Sequence, residues 1–578
     1  MHSTTRPRRL ARLAACTALA LSAGALLTAG PAAAVDGRAD RTAVSDAAAQ
    51  PSLTLPARAD HAAAGYATAA AAAKPRLDLD GDGRPDWVWR GVWGFCGTFL
   101  SGSSSNKSTE FTIYHDTLET VKNIIPVGNA GGSSRPELLT LSFDGRLSLH
   151  PTTTKGAGAP TWSGYGWTAY NRVVSAADLN RDGRPDLLAR TPSGDLYLYK
   201  GTGNLQDPFA PRIKVGPGWG GYDQLVGAGD LDRDGVADVL ARTVDGVLYY
   251  YKGTGSATKP FKSRVKVGPG WNAYNQIIAA DDVDRDGKTD IMARAFNGKI
   301  YWYFSTGNGH FTPRYDAGSN WQDVEFMFGS GITPVLGRHS LQARDGAGKI
   351  YEYVGQTDGN FFPRTETKYA PIEAGASMIS ASGLDKFNWA TAVQVKGDGT
   401  AKLPYPSGDS PLTGLRAGAK PVAGPADLTG DGRGDLLSRD AAGVLWLNPG
   451  TGSRTAFKTA VKVGGGWGVY KNLVGGGDVT GDGRPDLIAR GTDVLYVYPG
   501  TGSASKPFGT RFKVGAGWKQ YDQLASPGDL NGDGRADLVA RDSAGKLWRY
   551  VATGKRGSST FSARGLIGGG WNMYAGLS

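Results

Sequence analysis

Seven stretches of the chain place oxygen-bearing side chains at positions 1, 3, 5 and 9 around a glycine at position 6. They are Asp78, Asp80, Asp82 and Asp86; Asp178, Asn180, Asp182 and Asp186; Asp230, Asp232, Asp234 and Asp238; and Asp282, Asp284, Asp286 and Asp290. Three more follow: Asp427, Thr429, Asp431 and Asp435; Asp478, Thr480, Asp482 and Asp486; Asp529, Asn531, Asp533 and Asp537. A hard cation such as calcium takes roughly six to eight oxygens, and alternate side chains with one backbone carbonyl supply most of them. In DLDRDGVADVLAR that carbonyl is Val236's, and Gly235 allows the sharp turn. Without a cation the acids repel one another.

Other chemistries fit poorly. Position 12 of this stretch is Ala241 and its flanks are strand-like, which excludes an EF-hand or a dockerin. A glycosidase needs one unique carboxylate pair, not seven equivalent turns, and Thr429 and Thr480 cannot act as general acids. The histidines His61, His115, His150, His310 and His339 show no metalloprotease spacing, and the KGTGS segments recur as turns. The loops therefore read as structural calcium clips, up to seven ions, in a chain with no evident catalytic site.

The elements that must hold these loops repeat with them. The loops recur every 51 or 52 residues, with gaps of 100 and 145 where degenerate copies fall, from Val127, Phe328 and Ser380. A fixed period in this range means a solenoid or a propeller. Within one unit, YDQLVGA, ADVLART, GVLYYYK and RVKVG are four short β-runs, and Asp245-Gly246 makes a hairpin turn. Four antiparallel strands per unit describe a propeller blade.

Ten units allow two five-bladed rings or one ring of ten. Matching loops about 248 residues apart (Asp178 with Asp427, Asp230 with Asp478, Asp282 with Asp529) favour two rings, with Trp321 on the strand that closes the first. The C-terminal GGGWNMYAGLS is a spare first strand, expected to complete an N-terminal blade and remove a sheet edge. The expected organisation is an all-β tandem β-propeller, with rings at 75–330 and 331–578.

Residues 1–34 read as a secretory signal peptide: basic Arg6, Arg8, Arg9 and Arg12, an apolar stretch, then Ala32-Ala33-Ala34. Leu13-Ala14-Ala15-Cys16 has no hydrophobic core before it and is not read as a lipoprotein box. Alanine-rich residues 35–74 read as a flexible linker. Export leaves Cys96 as the sole cysteine, read as a small buried residue, so no disulfide forms within the chain. The net charge is +11, four of it in the leader, and the rest is scattered, which argues against nucleic acid as a partner. No later apolar run is long enough to span a membrane.

The units resemble FG-GAP/VCBS-type propeller repeats over essentially all of residues 75–578. The resemblance implies that the named loop residues bind calcium. The Gly-Trp-x-x-Tyr and Leu-Tyr-x-Tyr strands also resemble tachylectin-like propeller lectins, which implies glycan pockets repeated round the ring. The candidate sugar-stacking residues are Trp167 and Tyr170, Trp219 and Tyr222, Trp271 and Tyr274, Trp467 and Tyr470, and Trp518 and Tyr521. Packing between blades is the competing role for these rings. The alanine-, glycine- and arginine-rich style resembles exported actinobacterial proteins, and the class resembles the lectin subunits of umbrella toxin particles. Expected partners are cell-surface glycans and the adaptor subunits of such a complex. A non-lectin adhesin or scaffold is the alternative, and a propeller hydrolase the third.

Overall fold

A computed structural model describes residues 51–56, 74–101, 108–114, 121–329, 331, 340–384, 390–405 and 410–578. The signal peptide, most of the linker and His61, His115 and His339 lie outside these residues. The described chain is all-β apart from single turns of 3-10 helix. Nine four-stranded antiparallel sheets and a tenth, larger one form the blades.

Blade 4 shows why the repeat folds as it does. Its strands are Tyr222–Gly229, Asp238–Thr243, Leu248–Tyr251 and Val265–Gly268, paired in that order. Before the first strand, Gly218 turns at φ 89 and lets Trp219–Gly221 form a 3-10 turn. The Trp219 amide donates to the Gly194 carbonyl of the preceding blade, 2.9 Å away. Arg190, on that blade's second strand, donates from Nη1 to the carbonyls of Trp219 (3.0 Å) and Tyr222 (2.5 Å). The same staple recurs with Arg242, Arg439 and Arg541. The repeated Ala-Arg of the acidic motif is thus the blade-to-blade link.

There are two five-bladed rings, each closed by a strand from the far end of its own segment. Val324–Met327 pairs with Trp87–Gly91, so the first ring joins its last residues to its first blade. Trp321, fully buried, lies just before this strand. Tyr574–Leu577 pairs with Ser340–Asp345 and closes the second ring. This corrects one sequence expectation: the C-terminal strand completes the blade beginning at Ser340, because Val324–Met327 already fills the place beside the N-terminal blade.

The linker reading also needs correction. Residues 51–56 are not free spacer but pack beside Tyr315–Gly318 of the fifth blade. The Ser52 and Thr54 amides donate to Ser319 and Ala317, and Leu53 enters the core with Trp87, Trp302 and Trp321. Alternating apolar residues in Leu53-Thr54-Leu55 suit an extra edge strand.

The rings stack with unlike faces together. The acidic loops of the second ring meet the ring-one face that carries Asn171, Asp223 and Asn275. Apolar contact continues the junction, with Val92 and Trp93 against Val354 and Phe362. The acidic loops of the first ring surround the mouth of its central channel on the opposite face, with a cavity of about 720 Å3.

Candidate functional site

Six of the acidic loops join the first and second strands of their blades, the loop at Asp78 leads into Trp87–Gly91, whose first-strand neighbour is Val324–Met327, and all seven are built by the same hydrogen bonds. The position-1 carboxylate accepts the amide of the position-6 glycine, as Asp230 does from Gly235 at 2.8 Å and Asp529 from Gly534 at 2.7 Å. The position-5 carboxylate accepts the amide two residues on, as Asp234 does from Val236 at 3.0 Å. Position 9 is a buried clip. Asp238 accepts the Leu231 amide (3.0 Å) on one oxygen and the Gly253 amide (2.8 Å) on the other, which ties the loop to the end of the third strand. Asp86, Asp186, Asp290, Asp435, Asp486 and Asp537 repeat both bonds.

Burial pushes these position-9 carboxyls up, Asp86, Asp186 and Asp238 to about 7 and Asp435 to about 8. Neighbouring loop acids add to the rise. Stacked carboxylates that resist ionisation are a donor set awaiting positive charge. Among the described residues, acid oxygens converge within 4.8 Å in three groups: Asp78, Asp80 and Asp86; Asp230, Asp232 and Asp234; Asp282, Asp284 and Asp290. The Oδ1 atoms of Asp232 and Asp282 are buried without a hydrogen-bond partner. All-oxygen donors with orphaned lone pairs fit a hard divalent cation. Lys252 contacts Asp232 and lies 2.8 Å from Asp234, so an ammonium stands at one group. The other loops carry Asn180, Thr429, Thr480 or Asn531 at position 3, an oxygen donor without the charge.

The aromatic pairs chosen as sugar platforms are core. Trp167, Trp219, Trp271, Trp467 and Trp518 are buried, as are Tyr170, Tyr222, Tyr274, Tyr470 and Tyr521. The Trp219 ring lies 4.7 Å from Tyr251 and 5.6 Å from Phe261, centroid to centroid. The turn at Gly218 tucks the indole between blades, so stacking on a sugar is corrected to packing.

A different aromatic position does reach the outer edge. Arg264, on the outermost strand, stacks 4.3 Å above the Tyr249 ring and donates to the Tyr222 hydroxyl at 2.6 Å. Tyr222 in turn shares a 2.6 Å hydrogen bond with Tyr251. Guanidinium-over-aromatic stacks recur as Arg212 on Tyr197, Arg314 on Tyr301, Arg364 on Tyr351, Arg511 on Tyr496 and Arg564 on Trp548. In the blade of Val461–Gly464, Ala460 replaces the usual arginine, and Arg416 arrives from another segment to cover Trp446 at 4.3 Å. Sequence reading missed these stacks. The signal available was an arginine recurring just ahead of the fourth strand, at Arg212, Arg264, Arg314, Arg364, Arg511 and Arg564.

The strand order, the ring closures and the recurring acidic turns agree with what comparison of the sequence finds. The FG-GAP-like repeat family matches residues 178–241, 230–293, 427–489 and 478–540, which contain six of the seven acidic loops. The chain carries FG-GAP-like repeats. Integrin alpha-4 of Xenopus laevis is 28% identical over 155 residues, 22% of this chain and 14% of the integrin. The chain thus spans a small part of that relative's length. Structures of BBS1N in complex with ARL6DN, soaked with lead or with mercury, align with 58% of this chain and 94% of theirs. Their TM-score is 0.22 in both cases, at 14% and 13% identity. The FG-GAP-like repeats agree with the β-propeller fold, and among the described residues no helix is long and apolar enough to cross a membrane.

Proposed function

We propose that this chain is an exported, calcium-stabilised recognition protein without catalytic activity, and that it binds cell-surface glycans through sites repeated from blade to blade. The observation that carries the reading is the guanidinium-over-aromatic stack on the outer edge, kept even where its arginine comes from a different segment, Arg416 on Trp446. The ring holds the guanidinium in place, and the remaining N–H groups of that guanidinium offer directional hydrogen bonds to sugar hydroxyls. Weak copies spaced round a rigid ring gain by avidity. Calcium in the acidic loops would hold each first strand to its second in a chain without internal disulfides, and the acid residues named above are its ligands.

The test is glycan-array binding by the whole protein and by a double variant, Tyr249→Ala with Arg264→Ala. Several-fold weaker binding with an unchanged unfolding curve supports the reading. No glycan bound by the intact protein, or identical binding by the variant, refutes it. A protein-binding adhesin is the second reading, favoured by the 720 Å3 cavity on the free face of the first ring; a single co-purifying protein from culture supernatant would select it. The finer role as the targeting subunit of an umbrella toxin particle draws on resemblance of class, and adaptor subunits recovered on the tagged chain are its test.

A further inference from the structure

We propose that the acidic loops divide by job: three groups in the first ring take divalent cations, whereas the loops at Asp478 and Asp529 take side chains of the first ring and form the joint between the rings. This rests on the calcium reading above and goes beyond it, since the repeat by itself gives all seven loops one role.

The loop at Asp529 is sealed. Residues 529–541 are buried throughout, and Asp529, Asn531 and Asp533 are only 3–4% exposed. Arg535, at position 7 of the same loop, lies 2.6 Å from Asp533 and 3.3 Å from Asp223 of the first ring. The Asn275 side chain donates to the Asn531 carbonyl at 2.8 Å, and Gln276 reaches the Gly532 carbonyl at 3.4 Å. A Cβ on Gly532 would lie 2.6 Å from Arg294 Nη2 and 3.0 Å from Asn275 Nδ2, so glycine is what lets the loop come this close. At Asp478 the pattern repeats more loosely. Asn171 donates to the Asp482 carbonyl at 2.7 Å, and Arg172 and Arg190 lie within electrostatic reach of Asp478.

The first ring is arranged the other way. Asp80, Asp232 and Asp284 give three of its four loops a full set of acids, while no loop of the second ring has an acid at position 3. The three convergent groups are all in the first ring. The Asp232 side chain is 4% exposed, its Oδ1 is buried without a partner, and its carboxylate belongs to the convergent group with Asp230 and Asp234. At the sealed loop the positive charge is a buried arginine that also binds the other ring, whereas in the first ring it is a partly exposed lysine, Lys252 at Asp232 and Asp234 or Lys288 at Asp286, which an ion can displace. At Asp529 the charge demand is met by the loop's own Arg535, bridged to Asp223, and the hydrogen-bond demand of the loop carbonyls by Asn275 and Gln276 of the first ring.

The experiment counts ions. The full chain is stripped with chelator, titrated with Ca2+, and its tightly bound ions are counted by calorimetry and by mass spectrometry of the metal. Three tight ions are expected. Asp232→Asn and Asp284→Asn should each lose one, and Lys252→Met should tighten one several-fold by removing the competing ammonium. Thr480 Oγ1 is the buried atom an ion at Asp478 would use, and it lacks a partner. Thr480→Val and Asp533→Asn should therefore leave the count at three. Six or seven tight ions, or one lost on Thr480→Val, overturns the division of jobs. No ion bound at all overturns the calcium reading and this inference together.

Discussion

The loops at Asp230 and Asp529 share a sequence pattern and the same internal hydrogen bonds, yet one opens to solvent and the other is sealed between rings. The difference lies at positions 3 and 4. In the first ring, Arg181, Arg233 and Arg285 sit at position 4 with left-handed φ of 66°, 62° and 64°, which costs a non-glycine residue about 1 kcal/mol. Arg181 offsets this by reaching across to the Asp234 carbonyl of the next loop, 2.9 Å away. In the second ring the same position is Gly430, Gly481 or Gly532. A large side chain there reaches sideways to the neighbouring blade; its absence opens the approach of another ring. Three of the four first-ring loops carry the guanidinium at this site, and Gly81 in the fourth, at Asp78, shows that a hydrogen there permits the approach of another ring without requiring it.

That contrast can be broken most forcefully at Arg535. Arg535→Ala leaves Asp533 and Asp223 buried with less compensation, and stripping one partner from a buried charge network costs about 3–5 kcal/mol. The midpoint of urea unfolding should fall accordingly, whereas Arg233→Ala at the open face should shift it little. Trp219→Ala and Trp518→Ala form a control in which the rings should behave alike. Each removes a buried indole, for about 3–5 kcal/mol, and a large difference between them in thermal unfolding would show that the blades are not equivalent cores. Chelation comes next in size. Hydrogen exchange should speed up in the strands flanking Asp78, Asp230 and Asp282 while those flanking Asp529 stay protected; equal loosening of both rings would remove the distinction.

The pH dependence sharpens the same contrast more gently. A carboxyl whose folded pKa is raised adds stability below its unfolded value, near 4, and that contribution is lost as pH rises through the folded value. For Asp86, Asp186 and Asp238 the window therefore runs from about 4 to about 7. Chelated protein should become less stable across it, and saturating Ca2+ should flatten the slope. Smallest of all is Arg264→Ala, an exposed side chain whose loss should leave the unfolding midpoint nearly unchanged.

Much of this was legible in the residues. The spacing of the acidic turns gives the blade period, and Gly-Trp ahead of Tyr marks the start of six of the ten first strands. What a single blade's sequence cannot carry is what lies across from it. Trp219 reads from its own blade as either platform or packing, and the preceding blade's Val174, Leu188 and Leu198, which share its core, decide for packing. Arg535 meets Asp223 across 312 residues, a pairing that no local pattern encodes. Leu53-Thr54-Leu55 is too short to stand out from its alanine-rich surroundings, and its partner strand lies some 260 residues downstream, at Tyr315–Gly318. Cys96, read as a small buried residue, is only half-buried overall, although burial of its thiol pushes the pKa up to about 12.

The way the first ring is closed sets a timetable for its maturation. Trp87–Gly91 leaves the ribosome early but must wait for Val324–Met327, and residues 51–56 wait for the strand at Tyr315–Gly318. During synthesis, nearly the whole first ring is therefore threaded before its seam can be sewn. The nascent chain carries unpaired strand edges through that interval, and slow translation between residues 91 and 324 would lengthen its exposure to misassembly.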